Sequence, residues 1–412
     1  MKRRTHIYLL IVIALLIADS ASALTVQFVN KRLVVNNQPF LVKGVDESIY
    51  PISAFPTEFG ACWHDPAQPS GFYCPPPSAR IESPNDIDFL VQTAMGWTAA
   101  LSANTYRTFG KIAARPSPML SRANQFGVKV IMGYWINYNI DFTFPGTGGQ
   151  AARQQLINDF VNYITWLRGD PNYSAVLAHG LSNENNQHWC EWANQPHVCV
   201  QCDPNAQAAG FYDLVNNMAQ LAKQGDPDPR PIIVVSAELG DIGNATRHAD
   251  DASLPHIDGW GVNAYRGNSF GNLFTDYAAR TQKGVIITEF GMDVWDSRPT
   301  AASTVGGKDE ATQSAYVVSL WDEIKAEYLR IGGVTAGGTV FQLADTWWGV
   351  NGPWTIGVTQ HNPGGWSGGF PDGILDDEFL GLFERRPGAF KFQDDLYPRQ
   401  SAFSIRQRFS QP

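Results

Sequence analysis

The chain has no G-x-G-x-x-G turn, no Walker loop and no H-E-x-x-H pair. Each absence removes a chemistry: phosphate cradling by a glycine-rich loop and zinc-dependent proteolysis. The first apolar strand candidate also lacks the H-x-H of a metal-dependent amidohydrolase barrel. Charged residues are sparse at 17%, and their balance is negative, with a net charge of −9. An acidic chain argues against nucleic acid or an anionic membrane surface as partner and suits a neutral one. No repeat, linker or low-complexity tract interrupts residues 24–412, which read as one domain. No cofactor and no metal ion is expected.

What is present begins with a targeting segment. Lys2-Arg3-Arg4 form a basic head, Ile7 to Ala18 an apolar run, and Ala21-Ser22-Ala23 an A-x-A cleavage site. The apolar run is short for a membrane span. Residues 1–23 carry three basic residues and one acidic one, so their removal takes the net charge from −9 to about −11. No later apolar run is long enough to cross a bilayer, and the tail ending Arg406-Gln-Arg-Phe-Ser-Gln-Pro412 lacks a GPI signal. The expectation is a secreted protein without a membrane anchor. Five cysteines in such a chain read as disulfides plus one left over: Cys62 with Cys74, and Cys190 with Cys199 or Cys202. Cys199-Val-Gln-Cys202 is a poor half-site for zinc, because no second pair accompanies it.

Hydrophobic residues make up 44% of the chain and fall into alternating strand-length and helix-length runs. Val26 with Phe28 and Leu33 with Val35 suggest a small hairpin, with turn chemistry at Asn36-Asn37-Gln38. Eight strand candidates follow, at 40–46, 99–109, 128–135, 176–184, 232–237, 257–265, 285–290 and 338–348. Amphipathic helices are predicted at 151–168, 206–223 and 309–329, the last opening on Asp309 and Glu310. Strands alternating with helices imply a parallel sheet, and eight of them predict a (β/α)8 TIM barrel with long loops on its C-terminal face. A doubly wound sheet is the weaker reading, since its glycine-rich turn is missing.

Two predicted strands end in a carboxylate: Val176 to Glu184, closing on Asn183-Glu184, and Gly284 to Glu289. Numbered along the barrel they are the fourth and seventh strands, facing each other across its mouth. Two carboxylates on one cleft can split a glycosidic bond, one as proton donor and the other as nucleophile or base.

With these residues the chain resembles the clan A retaining β-glycosidases, among them family 2 and family 5 barrels and the fungal β-1,3-glucanosyltransferase family. Phe40-Leu-Val-Lys-Gly-Val45 is similar to their first strand and Asn104-Thr-Tyr-Arg-Thr108 to their second-strand Asn-x-x-Arg. Gly261-Val-Asn-Ala-Tyr265 is similar to the sixth-strand segment and Thr288-Glu-Phe-Gly291 to the nucleophile strand. The resemblance implies that Glu184 is the acid/base and Glu289 the nucleophile. It also implies that Asn183 binds the sugar 2-hydroxyl, while Arg107 and Tyr265 hold the nucleophile. Asn263 is a further binding candidate. A cation and a phenol beside Glu289 would lower its pKa, and Trp189 and Trp192 would desolvate Glu184 and raise its own.

Most of the thirteen tryptophans lie at or after predicted strand ends, as a cleft for the apolar faces of sugar rings requires. Trp135, Trp347 and Trp348 are the preferred platforms. Asp46, Glu47, Tyr134 and Asp345 are placed to bond sugar hydroxyls, and His179 reads as a histidine of the core or one supporting the site from behind, not a catalytic one. The function expected is hydrolysis of a β-glucan-like polysaccharide or oligosaccharide through a covalent glycosyl-enzyme. The alternatives are a transglycosylase using the same two glutamates and a catalytically silent carbohydrate-binding wall protein.

Overall fold

The computed structural model describes residues 24–47, 84–110, 116–191, 202–300, 306–346, 369–390 and 393–412, with a few isolated positions besides. The predicted leader and Cys62, Cys74, Cys199, Trp192, Trp347 and Trp348 lie outside the described residues.

Eight parallel strands close into a TIM barrel. They are β1 (Val42–Asp46), β2 (Thr105–Arg107), β3 (Lys129–Tyr134), β4 (Val176–Leu181), β5 (Ile232–Ala237), β6 (Gly259–Asn263), β7 (Gly284–Phe290) and β8 (Thr335–Val340). Each pairs with the next, and β8 closes on β1 with Gly337 opposite Val42 and Val340 opposite Val45. Strands β4, β5, β6, β7 and β8 are buried along their whole length, as expected of parallel strands covered on both faces.

The helices are α1 (Pro84–Ala100), α2 (Pro116–Phe126), α3 (Gly146–Arg168), α4 (Pro204–Lys223), α5 (Leu273–Arg280), α6 (Glu310–Leu329) and α7 (Gln400–Phe409). The connection from β5 to β6 carries only the 3-10 turn Ala245–Arg247. Helix starts follow local chemistry. Asp203 accepts from the Asn205 amide with Pro204 at the first turn, and Asp309 accepts from the Thr312 amide. Helix α7 takes the eighth helical position. Phe409 packs edge-on to Trp321 of α6 at 4.6 Å, and its carbonyl accepts from Lys43 Nζ of β1.

The N-terminal strands Val26–Val29, Arg32–Val35 and Gln38–Pro39 form an antiparallel sheet. The first turn is Asn30-Lys31, and the predicted turn at Asn36-Asn37 leads into a third short strand; all four residues have positive φ. Val26 and Leu33 join Val42, Ile131, Ala178, Ile233 and Ile286 in an apolar cluster that floors the barrel. Arg32 caps the end of α6 by donating to the carbonyls of Arg330 and Gly333, and it also reaches the Thr335 carbonyl.

The eight predicted strands are all found; most are shorter than predicted, β5 has the predicted bounds, and β7 and β8 begin earlier. The segment predicted from 99 begins inside α1, which runs to Ala100, and only Thr105–Arg107 pair as strand. The strand predicted over 338–348 is Thr335–Val340, and the chain then turns to pack beside 379–383. Apolar content marked these runs, but pairing stops where backbone groups find other partners.

Candidate active site

Glu184 lies beyond β4, in a tight turn. The strand ends at Leu181, and Ser182 and Glu184 both adopt left-handed backbone, with φ of 62° and 59°. Non-glycine residues hold that conformation only when their surroundings impose it. Asn185 donates to the Ile136 carbonyl beyond β3, whereas Asn186 spans β5, donating to the Ala237 carbonyl and accepting from its amide. Two asparagine side chains therefore fasten the turn to both neighbouring strands and set the position of Asn183-Glu184.

Glu289 stands at the end of β7, almost fully buried. A register shift between Val262 and Asn263 places Asn263 of β6 directly opposite it. Glu289 Oε1 accepts from Asn263 Nδ2 at 2.7 Å and from Arg107 Nη1 at 3.0 Å, and Oε2 accepts from Tyr265 Oη at 3.1 Å. The same Asn263 nitrogen is 2.9 Å from Glu184 Oε1 and 3.2 Å from Asn183 Oδ1. Two amide hydrogens thus face three acceptors. The orientation of the amide is set behind it, where Thr288 Oγ1 donates to Asn263 Oδ1 at 2.7 Å. Gly261 makes room for that threonine: a Cβ there would stand 2.8 Å from Thr288 Cγ2.

Because one nitrogen reaches both carboxylates, the two oxygens it touches are no farther apart than its two bonds laid end to end.

Arg107 links the group. Besides Glu289 it donates to Asn183 Oδ1 at 2.7 Å and to the Thr288 carbonyl at 2.8 Å, and its Nη1 lies 3.5 Å from Asp46 Oδ2. Its guanidinium covers the Phe109 ring at 4.4 Å, and Phe109 meets Phe341 edge-on at 5.9 Å. The Phe341–Gln342 peptide that follows β8 is cis. Phe370 packs edge-on to Tyr265.

Burial and mutual repulsion govern the carboxyl groups. Burial, then the charge of Glu289, pushes Glu184 up to about 8, against a hydrogen bond from Asn263 and the more weakly felt Arg107 charge. Glu289 is not lowered as expected from its neighbours alone. Burial raises it, and the Arg107 charge with the bonds from Arg107, Tyr265 and Asn263 pulls it back. The expected division survives in a different form, because three donors hold the Glu289 charge whereas Asn263 alone among the recorded donors serves the carboxylate of Glu184.

The structure brings Glu184, Glu289, Asn183, Arg107, Asn263 and Tyr265 together. Trp135 stands exposed just past β3, and Trp347 and Trp348 lie outside the described residues. Four other readings change. Trp189 anchors its loop, donating to Asp241 and packing on Phe142 and Phe211, and so serves α4 and the segment before α3. Tyr134 is buried on the outer face against Phe160 and Tyr163. Asp345 is buried in a two-pronged ion pair with Arg399. Asp46 and Glu47 are buried behind Arg107 and Phe109, with Glu47 pushed up to about 7 by burial. His179 is a core residue as expected, lowered to about 3 by burial. Cys202 bonds Cys190, which removes it from any zinc reading. The sequence reading missed Asp377, whose charge bears on both Glu184 and Tyr265. Its acidic run, 376–378, was the signal available.

No protein-family model and no curated protein matches the chain. Solved structures do, in fold. The Ruminococcus gnavus β-glucuronidase matches with a TM-score of 0.55 at 15% identity, over 94% of this chain and 53% of that one. The GH2 β-galacturonidase from Eisenbergiella tayi bound to galacturonate matches at 0.51 and 15%, over 94% and 54%. The Parabacteroides merdae β-glucuronidase matches at 0.51 and 14%, over 94% and 41%. The chain spans about half the length of the first two. The resemblance to clan A barrels read from the sequence is therefore matched in three dimensions: this chain is built on the same closed eight-stranded barrel as these enzymes.

Proposed function

We propose that the protein is a secreted retaining β-glycoside hydrolase acting on a neutral β-glucan-like substrate, with Glu289 as nucleophile and Glu184 as acid/base. The observation that carries this reading is the Asn263 amide bridging both carboxylates, which fits the short spacing of retaining pairs. In the first step Glu289 attacks the anomeric carbon while Glu184 gives its proton to the departing glycosidic oxygen. In the second, Glu184 takes a proton from water, whose oxygen displaces Glu289 and restores both groups. A raised Glu184 suits a donor that must hold its proton near neutral pH. Asn183, its oxygen held by Arg107, leaves its amide nitrogen for a sugar hydroxyl.

A neutral substrate is supported by the cations of the described loops. Arg247, Arg266, Arg298 and Lys308 are each ion-paired, with Asp241, Glu238, Asp296 and Glu384, and Arg107 is committed to the site itself. A uronate would need a free one.

The test is a panel of β-1,3-glucan, β-1,4-glucan, β-1,4-mannan and aryl β-glucuronide substrates, with 2-deoxy-2-fluoro glycosides to trap the intermediate. Turnover of a neutral β-glycan and a mass adduct on Glu289 are expected. A Glu289→Ala variant as active as its parent would sink the assignment.

A further inference from the structure

Asp46 closes β1 with no exposed surface. Its Oδ2 lies 3.5 Å from Arg107 Nη1, the nitrogen that donates to Glu289 Oε1 at 3.0 Å. One guanidinium thus stands between two buried carboxyl groups, and their supporting partners are unequal. Glu289 receives Arg107, Asn263 and Tyr265. Neither oxygen of Asp46 accepts a well-formed hydrogen bond among the described residues, and only the looser approaches of Arg107 and Thr339 oppose its burial. Thr339 of β8, which also faces Asp46, gives its hydroxyl to the Thr288 carbonyl instead.

Two carboxylates around one buried cation leave a net negative charge in a buried place, and Glu184 stands beyond as a third acid. One proton shared between them removes that charge, and it belongs on the group with the weaker donors. We propose that Asp46 is a positioning residue held as the neutral acid, so that the whole charge of Arg107 is committed to Glu289. This rests on Glu289 being the nucleophile.

The surroundings on each side agree. Burial pushes Asp46 well above the ordinary carboxylate range, with the charge of Glu289 adding to it and Arg107 and the Thr339 hydroxyl opposing. Tyr265, beyond β6, also feels Asp46 and holds no positive charge to offer. On its own segment Glu47 accepts the Phe109 amide and is itself raised. Arg107 is the one cation facing the group among the described residues.

The experiment compares Asp46→Ala and Asp46→Asn on the best neutral glycan of the panel, reading kcat, KM and the pH profile of kcat/KM. Alanine removes the wedge behind Arg107 and is expected to lower kcat about tenfold or more with KM little changed. Asparagine, a neutral group of the same shape, is expected to recover most of that loss with the acid limb unmoved. An acid limb that falls by about a pH unit or more in Asp46→Asn would mean that a charge had been removed beside Glu289, and would overturn the proposal. In the parent labelled with 13C at Asp carboxyls, the Asp46 resonance should keep its protonated shift from about pH 5 to about pH 7. It is assigned by its loss in Asp46→Asn or, should that variant not fold, by its displacement in Glu289→Gln. A titrating resonance overturns the proposal whatever the kinetics. Failure to trap an adduct on Glu289 would remove the nucleophile reading alone, since the carboxyl resonance needs no substrate.

Discussion

Replacing Glu184 with glutamine should cost activity and add stability, and the second effect depends on pH in a direction fixed by burial. Glu184 is raised from 4.5 to about 8, so the folded protein binds this proton more tightly than the unfolded chain does. The sign follows from linkage: the proton's contribution is complete below about pH 4.5 and is lost as pH rises through about 8. Glutamine keeps the shape and cannot ionise. At about 1.4 kcal/mol per pKa unit the full shift sets a ceiling of about 5 kcal/mol. Glu184 is partly exposed at the barrel mouth, and solvent screening reduces this to roughly 2 kcal/mol. In a chain of this size that corresponds to a Tm difference on the order of 2–4 °C. Thermal unfolding of parent and Glu184→Gln at about pH 5 and about pH 8.5 should therefore show the variant gaining stability relative to the parent at the higher pH. Activity should fall by about 10²–10⁴ on unactivated glycosides, and less on substrates whose leaving group needs no proton. A Tm difference that does not change between the two pH values would refute the buried, proton-holding Glu184.

Asn263→Ala removes the donor shared by both carboxylates. It should lower kcat/KM by about 10–100-fold, the worth of a hydrogen bond to a charged group. It should also move the acid limb of the pH profile upward, because Glu289 loses one of the bonds opposing its burial. An unmoved limb would show that Asn263 does not hold the Glu289 charge. Away from the mouth, Arg399→Ala leaves Asp345 buried without its partner and should cost about 3–5 kcal/mol in urea unfolding. A loss below about 1 kcal/mol would place the pair among ornamental surface bridges instead.

The barrel was legible because its signal is repeated: eight apolar runs, each bounded by polar residues and separated by helix-length stretches. The boundaries were not, for reasons visible at particular residues. Ala99 and Ala100 suit either a helix end or a strand start, and packing of α1 decides for the helix. Gly338 to Trp348 reads as one apolar segment, but Leu343 and Ala344 continue past β8 to meet the segment at 382–383. Four helices went unpredicted, α1, α2, α5 and α7; α5 is short, α7 lies beyond the last strand, and the end of α1 was read as the start of a strand. The pair Glu184 and Glu289 was legible from their place at strand ends, and Arg107 and Tyr265 from the motifs around them.

The electrostatics of the site were legible only in part, because neighbours in space were judged without the cost of burial. Arg107 and Tyr265 do bond Glu289, yet they oppose a desolvation that sequence cannot measure, and Arg107 has a second claimant in Asp46. Aromatic residues were misjudged for a related reason. A tryptophan after a strand end can face the cleft or the helices, and Trp189 faces the helices because Asp241 draws its indole nitrogen there. Tyr134 ends a strand on its outward face, as alternation along β3 requires once Gly133 approaches Thr108 on the inner one, where a Cβ would stand 2.2 Å from the Thr108 carbonyl oxygen. Side-chain alternation through a known inward position decides such cases, and here the glycine was the inward position. The aromatic that follows β8 is Phe341, in contact with the Phe109 ring that carries Arg107. On this side of the mouth, therefore, phenylalanines support the cation that binds Glu289.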